Sequence, residues 1–301
     1  MKTKKIIEDI SKAMVELMET DKGHWNSGLK DYISTGIPYN KFTGIRYVGL
    51  NTLILYLQSL KHGWKSQIHG TAKNWNDAGY KIKKGERAEH ILFSKPIKTE
   101  SKTETDAEGN PLVKNYWCNK SYAVFNAEQI EGYEIEKPKT NEISELELIE
   151  TVEQYVKNTG ASIHHGGNRA FFTPNYDEIH MPKPEQFKST GTSTAQENYY
   201  GTLLHELIHW TGYKDRLNRI KGKSFGDNDY AFEELVAESG SAILCTLLGI
   251  SAEPRPDHAK YLNSWIKGVK DNPNAMISAF KLSSKAIKYL DELQGKKQMV
   301  A

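Results

Sequence analysis

The segment from His205 to His209 (HELIH) contains the residues of this chain that are best suited to chemistry. On an α-helix, side chains four positions apart lie on one face, so the two imidazoles can bind one metal ion. Glu206 follows the first histidine and can act as a general base on a water molecule at an open ligand position. The pattern therefore predicts a helical Zn²⁺ site with two histidine ligands and one catalytic carboxylate.

The alternative interpretation of this segment is a chance pattern on an ordinary amphipathic helix. Tyr199 to Trp210 contains no proline, its leucines and isoleucine recur at helical spacing, and Gly212 is a typical residue at a helix end. Histidine and glutamate are costly to bury without partners, yet here they lie within an apolar helical pattern. Motif and context together favour the metal site.

A third protein ligand is expected from a following helix that carries several glutamates. Glu234 and Glu238 are four positions apart and share a helical face. One of these carboxylates can bind the metal while the other orients a histidine from outside the ligand shell. The alternative for these glutamates is a solvated first helical turn, where acids suit the helix dipole, and this interpretation explains Glu233 better than Glu238.

Asp215 is a second candidate for the third ligand. His209, Gly212 and Asp215 follow the spacing of an extended metal-binding motif, with aspartate in place of its last histidine. We favour Glu234 because acidic residues that lead into an apolar helix are otherwise poorly explained. Glu238 and Asp215 both stay open as alternatives.

The composition limits the class of protein. A chain of 301 residues is long enough for two domains with hydrophobic cores. The net charge is only +2, but residues 41–98 contain eleven Lys and Arg against three acids, a local charge of +8. The two cysteines have no ligand spacing and are expected to be reduced, which favours a cytoplasmic location. No apolar run is long enough to span a bilayer. Charged residues alternate with the apolar residues between 6 and 17, which predicts an N-terminal amphipathic helix without the apolar core of a signal peptide.

The order of predicted elements is that of an α+β protein with two domains. The first half combines a helix from Tyr47 to Leu60 with short strands, and the polar stretch from Lys98 to Pro111 is predicted to be a flexible hairpin tip or a loop. A break in periodicity rich in Lys and Pro indicates a linker at 137–142, between an N-terminal domain at 1–136 and a C-terminal domain at 143–301.

The second half is predicted as a helix, three short strands and the two ligand-bearing helices, an order compatible with a zinc peptidase. Ile179 to Met181 is the candidate for an exposed edge strand that pairs with an extended peptide, and an ordinary short strand closed by Pro182 is an equal alternative. Further helices are predicted from Lys260 to Val269 and from Met276 to Leu293.

Aromatic and basic residues interleave between Lys41 and Lys98. Single-stranded nucleic acids are bound by cationic grooves with aromatic faces on which bases stack. The alternative is that the aromatics belong to the core and the lysines to a solvated face. The residues that we assign to a DNA interface are Lys41, Arg46, Tyr47, Lys73, Trp75, Lys81, Lys83 and Lys84.

Several longer motifs occur in order along both halves. They are PYNKFTG at 38–44, YVGLN at 47–51, VFNAEQ at 124–129, HELIHWTG at 205–212, RLNR at 216–219 and the segment 230–238. With these motifs the chain resembles the ArdC-like antirestriction family of plasmids and phages over almost its full length. The resemblance implies an N-terminal single-stranded-DNA-binding domain, similar to the amino-terminal region of some plasmid primases, and a C-terminal zincin-like metallopeptidase domain.

Members of that family are associated with protecting incoming plasmid or phage DNA from host restriction, so the resemblance implies this role. One departure concerns residues 79–85, which are richer in Lys than in Arg, so individual phosphate contacts are not carried over.

Two hypotheses follow from the sequence. In the first, the chain is a DNA-binding zinc peptidase: His205, His209 and Glu234 hold Zn²⁺, and Glu206 transfers the proton during attack on a protein or peptide substrate. Tyr230 or His180 would stabilise the oxyanion. In the second, the protein coats single-stranded DNA without catalysis and zinc only stabilises the fold. The presence of Glu206 favours chemistry, since a structural zinc has no use for a base.

Overall fold

The computed structural model describes residues 36–105, 111–135, 145–190, 193–220, 228–250 and 274–295, with isolated positions before residue 20 and at 270 and 272. The described positions between 8 and 16 are helical, as predicted for the N-terminal segment. Outside the described residues lie Ile6, Ile7, Ile10, Met14 and Leu17 of that helix, the linker at 137–142 and the predicted helix from Lys260 to Val269. The architecture is α+β, as the sequence predicts. Within the described ranges, no helix is long and apolar enough to cross a membrane.

The first half is built around a four-stranded sheet. Its elements are β1 (Tyr39–Asn40), α1 (Leu50–His62), β2 (Ile68–Gly70), α2 (Ala72–Asp77), β3 (Lys81–Ile82), β4 (Glu89–Thr105), β5 (Pro111–Asn126) and β6 (Ile130–Glu131). The strand order is β1-β2-β5-β4, and β3 pairs with β6. Strand β1 runs parallel to β2, whereas the β2–β5 and β4–β5 pairs are antiparallel.

The β4–β5 hairpin is longer than the sequence predicts. The sequence predicts a flexible hairpin tip or a loop from Lys98 to Pro111; the stretch does belong to a hairpin, but the strands stay in register from Glu89 opposite Val124 as far as Glu100 opposite Val113. A polar composition does not exclude strand pairing. The threonines at 99, 103 and 105 also favour extended backbone.

Helix α1 lies against the inner end of this hairpin. Its apolar residues between 50 and 56 are buried, and it ends at Gly63, whose left-handed backbone (φ 72°) donates its N–H to the carbonyl of Ser59. The Asn51 side chain pairs with the backbone of Leu92, donating to its carbonyl and accepting from its N–H, both at 2.9 Å. Asn51 thus binds the backbone N–H and carbonyl of Leu92 at the outer edge of β4, as a neighbouring strand would.

The second half combines a three-stranded sheet with four helices in the described ranges. Its elements are α3 (Glu145–Thr159), β7 (Ser162–His165), β8 (Phe171–Thr173), β9 (Glu178–Met181), α4 (Ala195–Thr211), α5 (Asn228–Leu247) and α6 (Asn274–Glu292). The predicted helix near Met276 to Leu293 is confirmed as α6.

Strand β9 is the central strand of this sheet, so the prediction that Ile179 to Met181 forms an edge is wrong. Strand β7 pairs with β9 in parallel and β8 pairs with it in antiparallel orientation. Ile179 and Met181 are fully buried beneath the sheet, and strand alternation directs His180 to the opposite face. Periodicity reveals a half-buried strand but carries no information about its neighbours.

Both halves contribute to one hydrophobic core. The same cluster of buried side chains contains Leu53 from α1, Val152 from α3, Leu207 from α4 and Phe280 from α6. Helix α6 contacts α1, α4 and α5. The limits given above for two domains remain a prediction, but hydrophobic contacts continue from one half into the other.

Candidate metal centre

Helix α4 presents the HELIH motif in the protein interior. The helix begins after Thr194, whose hydroxyl accepts from the Glu197 N–H at 3.2 Å while the Glu197 carboxylate accepts from the Thr194 N–H at 2.8 Å. It ends at Thr211. His205, Glu206 and His209 are 1%, 2% and 8% exposed, so the polar face of this helix is turned inward.

The two histidines and Glu234 of α5 form a compact group of potential ligand atoms. The Nε2 atoms of His205 and His209 are 3.1 Å apart. The Glu234 carboxylate lies against both, 3.6 Å from His205 Nε2 and 3.4 Å from His209 Nε2. One ligand atom from each residue lies within 4.8 Å of the other two. Two imidazole nitrogens and a carboxylate oxygen are the donors that a catalytic Zn²⁺ site uses.

Two more glutamates of α5 face the outer nitrogens of the same imidazoles. Glu233 Oε1 lies 3.2 Å from His209 Nδ1, and Glu238 Oε1 lies 3.6 Å from His205 Nδ1. The interpretation of Glu233 as a solvated residue is therefore wrong: α5 begins at Asn228, and the Glu233 side chain is only 13% exposed. Glu233 could have been assigned to the site from the sequence, because metal-binding histidines usually donate a hydrogen bond to a carboxylate from the nitrogen remote from the metal.

The electrostatics of this group favour a positive charge between the imidazoles. Burial disfavours the charged form of His209, but hydrogen bonds with Glu233 and Glu234 outweigh it and raise the His209 pKa to about 10. Burial likewise opposes ionisation of Glu234, but its hydrogen bonds with His205 and His209 hold the Glu234 pKa well below its usual range. A divalent cation bound here would meet the same stabilising field. The residues present therefore fit a metal ion.

The other predicted participants differ in their positions. Glu206 is buried beside His205 on α4, and its charge acts on His209. Tyr230 lies on α5, four positions before Glu234 and thus on the same helical face. His180 stacks on Phe171 at 4.8 Å, on the face of β9 opposite to the buried Ile179 and Met181, so Tyr230 is the better placed of the two candidate oxyanion donors.

The structure places Asp215, the alternative third ligand, away from the cluster. It is exposed in the turn after α4, whereas Glu234 and Glu238 are 6% and 5% exposed. Its position follows from the chain reversing direction beyond Gly212, where the N–H groups of Arg219 and Ile220 bond to the Gly212 carbonyl.

The predicted DNA-binding residues divide into exposed cations and buried rings. The exposed cations are Arg46, Lys73, Lys81, Lys83 and Lys84, and Lys41 is partly exposed. Tyr47 and Trp75 are 4% and 0% exposed. Their rings cannot reach a nucleobase, so their assignment to the DNA interface is wrong. Trp75 packs edge-on against Phe42, Tyr80 and Tyr133. Composition alone does not separate core aromatics from exposed ones.

A different aromatic pair is exposed on the β4–β5 hairpin. Phe93 and Tyr122 are 41% and 44% exposed, with ring centroids 6.2 Å apart in an edge-to-face arrangement. Phe93 pairs in register with Lys120, which is also exposed. On the same face Ile91 and Val124 belong to the core beneath Tyr47 and Leu55. The two rings continue this apolar row outward to where solvent reaches them.

Comparisons with known proteins agree with a fold in two parts. The family described as a zincin-like metallopeptidase matches residues 150–281, and the N-terminal domain of anti-restriction factor ArdC matches residues 4–125. The crystal structure of the antirestriction protein ArdC from plasmid R388 superposes with a TM-score of 0.72 and 29% identity, covering 97% of this chain and 98% of that one. Its Mn(II)-bound structure gives the same TM-score with 28% identity, covering 97% of this chain and 99% of that one.

Protein y4eC of Sinorhizobium fredii is 32% identical over 80% of this chain and 76% of its own length. The DNA primase TraC of Escherichia coli is 33% identical over 94% of this chain, which corresponds to 26% of TraC. The chain is thus an α+β protein in which an ArdC-type N-terminal domain precedes a zincin-like domain. It belongs to the ArdC-like antirestriction family.

Proposed function

We propose that this protein binds single-stranded DNA, carries a metallopeptidase-type hydrolytic site and protects incoming plasmid or phage DNA from host restriction. The observation that supports the hydrolytic site is the convergence of His205 Nε2, His209 Nε2 and the Glu234 carboxylate beside the buried Glu206. These three residues would hold a divalent cation, for which the His₂Glu donor set favours Zn²⁺. The R388 relative has been crystallised with Mn(II), so the identity of the ion needs direct measurement.

A bound divalent cation would polarise a substrate carbonyl and make a nearby water more acidic. Glu206 accepts the proton of the attacking water and later delivers it to the departing amine. The hydrophobic residues around α4, including Leu204 and Leu207, exclude bulk water, and this strengthens the electrostatic interactions between Glu206 and the reacting atoms. Tyr230 is our candidate for stabilising the oxyanion.

The decisive variant is Glu206→Gln, which keeps the size of the side chain and removes its ability to accept a proton. We expect one metal ion per chain, as in the wild-type protein, and loss of cleavage in a screen of unfolded protein substrates. Metal content is measured by elemental analysis of the full chain. Undiminished cleavage by a protease-free Glu206→Gln preparation would remove Glu206 from this role.

The alternative is a protein that coats single-stranded DNA, in which the metal ion only stabilises the fold. Plasmid transfer into a restricting host separates the two functions: if Glu206→Gln protects the incoming plasmid as well as the wild type does, hydrolysis is not needed for protection. Metal spectroscopy provides a second criterion. An open, water-accessible position supports catalysis, whereas a fourth protein ligand supports a structural ion.

For DNA binding, the supporting observation is the exposed pair Phe93 and Tyr122 beside Lys120, within a half of the chain that is rich in exposed lysines. Bases stack on exposed rings, and each such contact contributes about 1–3 kcal/mol. Lysines bind the phosphates regardless of sequence, so affinity should fall with salt.

Fluorescence anisotropy with a labelled oligonucleotide tests this surface. The double variant Phe93→Leu, Tyr122→Leu should bind single strands about 10-fold or more weakly, because leucine keeps the apolar character and removes the stacking face. Tyr176→Leu is the matched control, since Tyr176 is 75% exposed but lies between β8 and β9 of the other half. Equal affinity of the double variant and the control would exclude the pair, and equal binding of duplex would contradict the preference for single strands.

A further inference from the structure

The guanidinium of Arg219, in the turn after α4, is buried next to the candidate metal centre. Its Nε and Nη2 atoms donate to the two carboxylate oxygens of Glu233 at 2.9 and 2.8 Å. Nη2 also donates to the Ile208 carbonyl at 2.7 Å, and Nη1 donates to the Thr211 hydroxyl at 3.0 Å. All three guanidinium nitrogens are therefore engaged, and the side chain is only 5% exposed.

The backbone of the turn determines this position. Asn218 adopts a left-handed conformation (φ 48°), and the Arg219 N–H donates to the Gly212 carbonyl at 2.8 Å. A Cβ atom at position 212 would lie 3.0 Å from Arg219 Nη2 and 2.9 Å from a side-chain carbon of Ile220, so glycine allows the close approach. The positively charged guanidinium of Arg219 also lies at the C-terminal end of α4, where the helix dipole favours positive charge.

Glu233 connects this arginine to one of the histidines. A carboxylate held by a guanidinium can only accept hydrogen bonds, so the 3.2 Å contact to His209 Nδ1 requires the proton to be on Nδ1. In the neutral imidazole, which is the form that binds a metal ion, the lone pair is then on Nε2. His209 Nε2 is the atom that faces His205 and Glu234.

We infer that Arg219 is a positioning residue of the metal centre, which acts through Glu233 to fix the Nδ1-protonated tautomer of His209 and direct its Nε2 atom toward the cation. This inference rests on the metal site proposed above. It distinguishes the two histidines, because His205 Nδ1 has no hydrogen bond within the described part of the chain and Glu238 lies 3.6 Å from it.

Arg216 provides a matched control on the same turn. It is also largely buried (side chain 9% exposed) and also binds a carboxylate with both Nη atoms, but the partner is Asp177, in the turn between β8 and β9. Its guanidinium stacks on Trp210, 3.8 Å from the ring centroid. Loss of Arg216 removes a comparable set of contacts without touching Glu233 or His209.

The test measures Zn²⁺ affinity of the full-length protein by competition with a chromophoric chelator. Arg219→Gln should weaken binding about 10–100-fold, the range typical of partners that hold a metal ligand from outside. Arg219→Lys should recover only part, because lysine keeps the charge but not the two-pronged geometry. Arg216→Gln should bind like the wild type. In Co²⁺-loaded protein, the exchangeable Nδ1–H signal of His209 should exchange faster with water in Arg219→Gln.

The outcomes separate the two proposals. A wild-type protein that binds no Zn²⁺, or binds it equally after His205→Ala, contradicts the metal site itself. Tight binding by the wild type, with Arg219→Gln and Arg216→Gln alike in affinity and exchange, overturns the role of Arg219. Melting of the metal-free variants shows whether Arg219→Gln folds. Should it not fold, Arg219→Lys and Glu233→Gln decide by the same two measurements, and wild-type values in both would overturn the inference.

Discussion

Gly49 precedes α1 at a point where the backbone of the first half comes close to α6 of the second half. A Cβ atom there would lie 1.6 Å from Ser284 Oγ and 2.7 Å from the Phe280 carbonyl oxygen, both on α6. The backbone of Gly49 is also left-handed, with φ 60°. Gly49→Ala therefore combines a conformational cost of about 1–2 kcal/mol with an overpacking cost of about 1–3 kcal/mol. We expect a loss of about 2–5 kcal/mol in the free energy of unfolding.

Gly63→Ala separates these two costs. Gly63 is left-handed as well, with φ 72°, but a Cβ atom there would meet nothing within 4 Å. It should therefore cost only the conformational part, about 1–2 kcal/mol. Both variants are compared by urea unfolding of the full chain, with the slope of the transition checked for two-state behaviour. Equal destabilisation by the two substitutions would refute the close contact between α1 and α6.

Three more predictions concern the metal centre and the N-terminal half. Removal of the ion by a chelator should lower the free energy of unfolding of the full chain by about 2.7 kcal/mol, compared with protein in free Zn²⁺ at 100 times its dissociation constant. The measurement is a shift in melting temperature that excess Zn²⁺ reverses. Glu234→Gln should weaken Zn²⁺ binding more than 100-fold, a larger loss than is typical of residues that only hold a metal ligand in place. Asp215→Asn should leave the Zn²⁺ titration unchanged. The opposite result for the two variants would make Asp215 the ligand. Burial lowers the pKa of His69 to about 4, below the usual 6.5. The unfolded chain therefore takes up a proton at His69 more readily than the folded protein, and the free energy of unfolding should fall by about 2–4 kcal/mol as the pH falls from 6.5 to 4. A His69→Gln variant whose urea midpoint falls just as steeply over this range would contradict that account.

The parts of the fold that depend on local periodicity could be predicted from the sequence. Helix α4, with Thr194 before it and Gly212 after it, follows from neighbouring residues alone, as does helix α6. The position of β9 could not be predicted, because the strands on either side of it are determined by contacts distant in sequence. The same limit applies to Trp75: taken alone, this residue is expected to lie in the core more often than to stack on a base, but only the tertiary structure shows that other rings enclose it.

The glutamates of α5 show how far ligand chemistry can extend such a prediction. A metal centre with two histidines and one carboxylate needs one acid that binds the ion, and it usually has an acceptor for the remote N–H of each imidazole. Three carboxylates on a facing helix lie at these nitrogens: Glu234 faces both Nε2 atoms, Glu233 contacts His209 Nδ1, and Glu238 lies 3.6 Å from His205 Nδ1, beyond hydrogen-bond distance. Consecutive positions on a helix point about 100° apart, so Glu233 and Glu234 can reach opposite nitrogens of a single imidazole. Counting the acids against the nitrogens would have assigned Glu233 to the centre; the position of Arg219 behind it depends on a left-handed turn at Asn218, which the sequence does not reveal.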